Sequence, residues 1–182
     1  MHPLLASSRL HSAPISYDVT YTPSPRSVVD RNTRTPVPNH TLGQPATDPP
    51  TYGKLVLRCD KLPWPIVAQP SGATGGKFFI GTAPSGESGR TVPISNSDLL
   101  CAIHTTLSVR VSHEEWEALG KGTRAQRKVT RAYENRCKKM GGGWDGGVRR
   151  IDWLGERTRL VGIEVDKDAG AGGVAKLVFG KP

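Results

Sequence analysis

Apolar and polar residues alternate from Ile15 to Tyr21, with Ile15, Tyr17, Val19 and Tyr21 on one side and Ser16, Asp18 and Thr20 on the other. That two-residue period predicts a half-buried strand. The stretch GVRRIDWLGERTRLVGIEV, residues 147–165, predicts two more. Residues 148–154 and 158–165 are both rich in β-branched and aromatic side chains, and Gly155, Glu156 and Arg157 between them have the makeup of a hairpin turn. In such a hairpin Ile151 and Trp153 share the core face while Arg150 and Asp152 share the other. Residues 55–59 and 77–80 are shorter strand candidates.

The helical period appears three times. Ser97 is placed to cap a helix from Asp98 to about Leu107, with Leu99, Ile103 and Leu107 as its apolar stripe and Leu100 alongside. His104 sits beside that stripe and reads as a structural histidine. Ser112 and Glu115 form a capping box that opens a short helix with Trp116 and Leu119 inward. The third helix runs from Arg124 to Met140. At 100° per residue, Ala125, Val129, Ala132, Tyr133, Cys137 and Met140 share one arc, and Arg124, Arg127, Lys128, Arg131, Lys138 and Lys139 take the opposite one. Arg136 breaks the pattern by projecting from the apolar arc, where a guanidinium needs an acid. Asp152 is preferred over Asp18 as that acid, because the short link 141–147 lets the following segment fold back onto the helix.

Composition divides the chain into three. Nine of the 15 prolines lie in the first 50 residues, and 11 of the 21 glycines follow Met140. The division predicts a Pro-rich arm over 1–50 wrapped on the surface and pinned by Leu4, Leu5 and Tyr17, a core domain over 51–165, and a Gly-rich tail over 166–182. After Tyr21 the prolines argue against regular structure. In the tail, residues 174–179 are at most one edge strand. The fold class expected is α+β, with a small, mainly antiparallel sheet and two or three helices packed on one face.

Charge narrows the partners. Of the formal net charge of +9, the window 121–140 alone carries +7, from eight basic residues and the single acid Glu134. Such asymmetry suits acidic partners. Three scattered cysteines, Cys59, Cys101 and Cys137, have no metal-ligand spacing and suggest no disulfide framework, so no metal or cofactor is expected. The N-terminus lacks the basic start of a signal peptide, and no run of about 18 apolar residues spans a membrane. An intracellular location follows as the expectation, cytoplasmic or nuclear, with no membrane partner. GATGGK and GTAPSGES lack the spacing of a phosphate-binding loop.

Several segments together resemble a large family of uncharacterised domains abundant in mushroom-forming fungi. They are HPLLA near the N-terminus, the YD pair at Tyr17, LPWPIVA at 62–68, the helix around Leu99 to Leu107, AYENR at 132–136, and GVRRIDWLG followed by LVGIE. The similarity runs through roughly residues 1–165. It implies a single α+β domain with a small antiparallel sheet and a few helices. The family has no established activity, so the resemblance carries no catalytic residues over.

The candidate binding residues are Trp64, Arg136, Arg150 and Asp152. Pro63 and Pro65 hold Trp64 at low entropic cost, as an anchor or as a plug at the end of the core. Arg136, Arg150 and Asp152, with Tyr17 and Asp18, are polar groups set within apolar segments. They suit a register-fixing ion-pair cluster or an anion-recognition site. A hydrolytic site from Asp18, His104 and Asp152 lacks a nucleophile motif. The expected function is a non-enzymatic interaction domain for a protein or peptide. The alternative is a nucleic-acid-binding domain acting through Arg124, Arg127, Lys128, Arg131, Lys138 and Lys139, disfavoured by sparse aromatics.

Overall fold

The computed structural model describes residues 1–8, 10–71, 92–165 and 175–182. The strand expected at 77–80, the two loops with phosphate-loop-like glycines and the linker at 166–173 lie outside them, save Ser71. Among the described residues six strands form one sheet: β1 (Ile15–Asp18), β2 (Val28–Asp30), β3 (Leu55–Arg58), β4 (Ile66–Ala68), β5 (Arg159–Val165) and β6 (Ala175–Gly180), in the order β2-β1-β5-β6-β3-β4. Neighbours are antiparallel except β3 and β6, which run parallel with Leu57 opposite Ala175. The fold is α+β, but the sheet is mixed rather than mainly antiparallel. The reason is β6. Its alternating Ala175, Leu177 and Phe179 are all buried, and it fills the centre of the sheet between β5 and β3 instead of lying at an edge. More than a hundred residues separate β3 from β6, ample for the crossover that a parallel pair requires. Segments expected as arm and tail thus supply β1, β2 and β6.

The N-terminal chain is woven into β5. Ser7 donates its amide to the Ile163 carbonyl (3.0 Å), Ile163 donates to Leu5 (2.7 Å), and Ala13 donates to Val161 (3.0 Å). Leu4, Leu5 and Tyr17 are buried. The close approach falls on a β-bulge between Leu160 and Gly162, and Gly162 has φ +152°. A Cβ there would sit 2.5 Å from Ser7 Cβ and 2.9 Å from Ala13 Cβ, so only glycine fits. Contrary to the expectation from sequence, the prolines beyond Tyr21 do not exclude regular structure. Val28–Asp30 pairs with β1, and a short helix α1 (Asn39–Leu42) follows. The prolines sit outside these short elements, where they cost no ladder bond.

Among the described residues three further α-helices follow: α2 (Asn96–Ser108), α3 (His113–Glu117) and α4 (Arg124–Met140). The cap of α2 is Ser95, not Ser97. Ser95 Oγ accepts from the Asp98 amide (3.1 Å), and Asp98 Oδ2 accepts from the Ser95 amide (2.9 Å). Leu99, Leu100, Ile103 and Leu107 are buried as their stripe predicts. The capping box of Ser112 and Glu115 opens α3, where Trp116 is only half-buried. In α4 the apolar arc is narrower than its periodicity suggested: Val129 and Cys137 are buried, whereas Ala125 and Met140 are exposed. A left-handed Gly141 (φ 69°) ends the helix, with Gly142 donating to the Cys137 carbonyl (3.0 Å).

The hairpin of 148–154 with 158–165 does not form. Residues 150–154 coil into a 3-10 turn, and β5 pairs with β1 and β6 instead. Asp152 sets the coil. Its Oδ2 accepts from the Arg149 amide (2.8 Å), and its own amide donates to the Arg149 carbonyl (2.9 Å). Ile151, Asp152 and Leu154 are all buried, which strict alternation about one sheet face would not give. Just upstream, Val111 donates to Val148 and Arg150 donates to Val109, both at 3.0 Å, so the extended residues 148–149 pair with the loop after α2. The turn lies against both α2 and α4, while α4 packs on the turn rather than on the sheet.

Candidate functional site

The turn exists to meet α4. Arg136 Nε donates to Asp152 Oδ1 (2.8 Å), its NH2 donates to Oδ2 (3.0 Å), and the same NH2 donates to the Gly147 carbonyl (3.1 Å). The pair is bidentate and buried, with side chains 12% and 2% exposed. The bond to Asp152 raises the Arg136 pKa above its usual value. Asp152, rather than Asp18, is therefore the acid for Arg136.

Asp18 pairs elsewhere. Its Oδ1 accepts from the Thr20 amide (3.0 Å) and its Oδ2 meets Lys139 Nζ (3.1 Å). Burial pushes this carboxyl up, but bonds from Thr20, Lys139 and Thr158 outweigh it and leave its pKa lowered. Arg150 joins neither acid. It binds Glu115 Oε1 (2.7 Å) and stacks 4.6 Å above Trp64, whose ring meets Trp153 edge-on at 5.1 Å. Trp64 is partly buried against the core. Trp64 and Arg150 thus belong to a knot that ties the β3–β4 segment to α3 and the turn. His104 donates Nδ1–H to the Val19 carbonyl (3.0 Å), which leaves Nε2 to accept from Ser108 (3.4 Å). The polar residues singled out from sequence therefore form separate pairs rather than one cluster.

A cleft of about 530 Å³ opens beside the Arg136–Asp152 pair. Ala132, Ile151 and Leu154 give it an apolar floor, and Lys61, Lys128, Arg131, Arg136, Lys139, Arg157 and Lys181 contribute cations against only two acidic side chains, Asp152 and Glu156. On α4, Lys128, Arg131, Ala132, Asn135, Arg136 and Lys139 fall on one side of the helix at 100° per residue. Arg136 is neutralised by Asp152, Lys139 by Asp18 and Lys181 by Glu156 (3.1 Å). Among the described residues, Lys61, Lys128, Arg131 and Arg157 have no carboxylate in salt-bridge contact. The volume lies within the roughly 300–1,000 Å³ typical of ligand pockets.

Of the residues proposed from sequence, the cleft gathers Arg136, Asp152, Lys128, Arg131 and Lys139. Trp64 and Arg150 lie outside it, as do the exposed Arg124, Arg127 and Lys138. Lys61 and Arg157 went unnoticed because they sit in loops whose charges look like ordinary solvated ones. Their basicity was the sole signal. No helix among the described residues is long and apolar enough to cross a membrane.

These features define an α+β domain built on a mixed six-stranded sheet, with a cation-lined cleft where a helix meets a buried turn. The chain belongs to the family of unknown function DUF6699, whose model matches residues 15–171. No curated protein and no solved structure matches it.

Proposed function

We propose that the protein is a non-enzymatic interaction domain that captures an acidic segment of a partner protein in the cleft between α4, the 150–154 turn and the start of β5. The observation that carries this reading is the imbalance of the cleft wall, in which four cations lack a carboxylate while an apolar floor lies beneath them. An extended peptide offers both what the wall and what the floor require: carboxylates for the cations and aliphatic groups for the part of the floor that Ala132 leaves open. Cys59, Cys101 and Cys137 are all unpaired, which fits a reducing cytoplasm or nucleus. The motifs shared with domains of mushroom-forming fungi make a fungal cell the proposed setting.

Fluorescence polarisation with labelled Asp- and Glu-rich peptides tests the reading. Binding should weaken with salt and be lost in Lys128→Glu/Arg131→Glu, whose exposed side chains leave the fold intact. Equal binding of neutral peptides, or no effect of the double reversal, overturns it.

A second reading rests on a different observation. Arg124, Arg127 and Lys138 extend the basic stripe of α4 beyond the cleft onto exposed surface, the footprint of a nucleic-acid backbone. Oligonucleotide binding at low salt that is lost in Arg124→Glu/Arg127→Glu/Lys138→Glu but kept in Lys128→Glu favours that reading. The aromatics beside α4 argue against base stacking, since Tyr133 and Trp144 pack on each other with centroids 5.7 Å apart.

A further inference from the structure

We infer that Lys61, Lys128 and Arg157 make up a subsite of the cleft for a phosphomonoester, carried on a phosphorylated residue of the bound peptide. The inference rests on the peptide-binding reading above and adds the chemistry of the anchoring group.

The cations of the cleft fall into two sets. In one, Arg136, Lys139 and Lys181 each hold a carboxylate of this chain. In the other, Lys61 arrives from the loop after β3, Lys128 from α4 and Arg157 from the residues leading into β5. A Cβ on Gly155 would stand 3.6 Å from Lys128 Cε, so the Lys128 side chain lies over the loop that carries Arg157. The pKa of Lys61 is lowered, first by its burial and next by repulsion from Arg157, with Lys128 adding to it. Three separate elements therefore bring cations to one cleft wall, and no acidic side chain of the described residues is in salt-bridge contact with them. Such an arrangement costs the fold free energy that a bound anion returns.

The kind of anion follows from the count of donors. A carboxylate brings one charge and two oxygens, whereas a phosphomonoester brings a charge of about −1.5 to −2 and three acceptor oxygens. Three cationic side chains brought to one cleft by three separate elements suit the second. The neighbouring Arg131 and the apolar floor then accommodate the flanking peptide, which gives the phosphate a context that inorganic phosphate lacks.

The test uses three labelled acidic peptides that differ at one central residue: serine, glutamate or phosphoserine. Phosphoserine should bind at least about tenfold more tightly than glutamate. In Lys61→Met/Arg157→Met that ratio should fall to about one, while Arg124→Met, outside the cleft, keeps the parental ratio. Equal affinity of the glutamate and phosphoserine peptides overturns the phosphate subsite but leaves the peptide-binding reading standing. Failure of all three to bind overturns both. If phenyl phosphate binds as tightly as the phosphopeptide, the subsite serves a free small molecule and the inference fails. It fails too if a single-stranded oligonucleotide outcompetes the phosphopeptide and that competition survives Lys61→Met/Arg157→Met.

Discussion

Replacing Arg136 by methionine isolates the contact on which the cleft is built. Methionine fills much of the space of the aliphatic stem but removes the guanidinium. Asp152, with a side chain only 2% exposed, then loses two of its three donors and keeps only the Arg149 amide at 2.8 Å. The Gly147 carbonyl loses its Arg136 partner as well. Breaking a buried ion pair by removing one side typically costs about 3–5 kcal/mol, because the other charge stays behind. For a chain of this length that corresponds to a fall in Tm of about 6–20 °C.

The partner substitution distinguishes pairing from packing. Asp152→Asn retains an acceptor for the Arg149 amide and the charge is gone. The double variant Arg136→Met/Asp152→Asn should therefore be more stable than Arg136→Met alone, by about 1–3 kcal/mol. Urea titrations followed by far-ultraviolet circular dichroism measure all four members of the cycle. A single Arg136→Met variant within about 1 kcal/mol of the parent refutes the reasoning. So does a double variant whose loss is the simple sum of the two single losses.

Three further outcomes follow from the same geometry. Ile151→Asp places a carboxylate where the side chain is 5% exposed between α2 and α4, and the variant should fail to give a cooperative melt; parental melting would mean the turn faces water. Gly162→Ala forces a Cβ into Ser7 and Ala13 at a φ of +152°, and should lower stability in urea by about 1–3 kcal/mol, with an unchanged midpoint excluding the close approach. Asp18 has a lowered pKa in the fold, so its contribution is complete above the ordinary carboxyl range near pH 4 and is lost as pH falls through the folded value; the acid limb of the stability profile should be shallower in Asp18→Asn, and identical limbs would contradict the lowered pKa.

How much of this was legible in the sequence depended on the distance over which each feature is decided. β1 and α2 were legible because their periods are local: Ile15 and Tyr17 are buried alternately, and Leu99, Ile103 and Leu107 recur with the helix. The charge of Arg136 was legible for the same reason, as a cation on an apolar arc. RRIDWL was misleading because a short apolar run fits strand and coil equally, and the deciding contact is the Asp152 side chain on the Arg149 amide. The central place of β6 was illegible, since its partners β3 and β5 are chosen by the whole sheet. Lys61 and Arg157 gain meaning only when three distant segments meet.

That meeting has a consequence for stability that separates a binding cleft from a solvated basic surface. Scattered surface cations should be close to neutral when replaced, generally within about 0.5 kcal/mol. Lys61 is different, because burial, Arg157 and Lys128 all disfavour its charged form in the fold. A lysine with a depressed folded pKa weakens the native state while it is protonated, and the weakening is relieved as pH rises through that folded value. Lys61→Met should therefore melt at or above the parental temperature at neutral pH, and the difference should shrink toward alkaline pH as the parental lysine discharges. The same variant should lose the phosphopeptide preference, so stability and binding move in opposite directions, as expected of a residue retained for its ligand. Differential scanning fluorimetry across the neutral to alkaline range reads the first effect. A clear drop in Tm at neutral pH would mean that Lys61 holds the fold together, and the case for an anion subsite built on it would be lost.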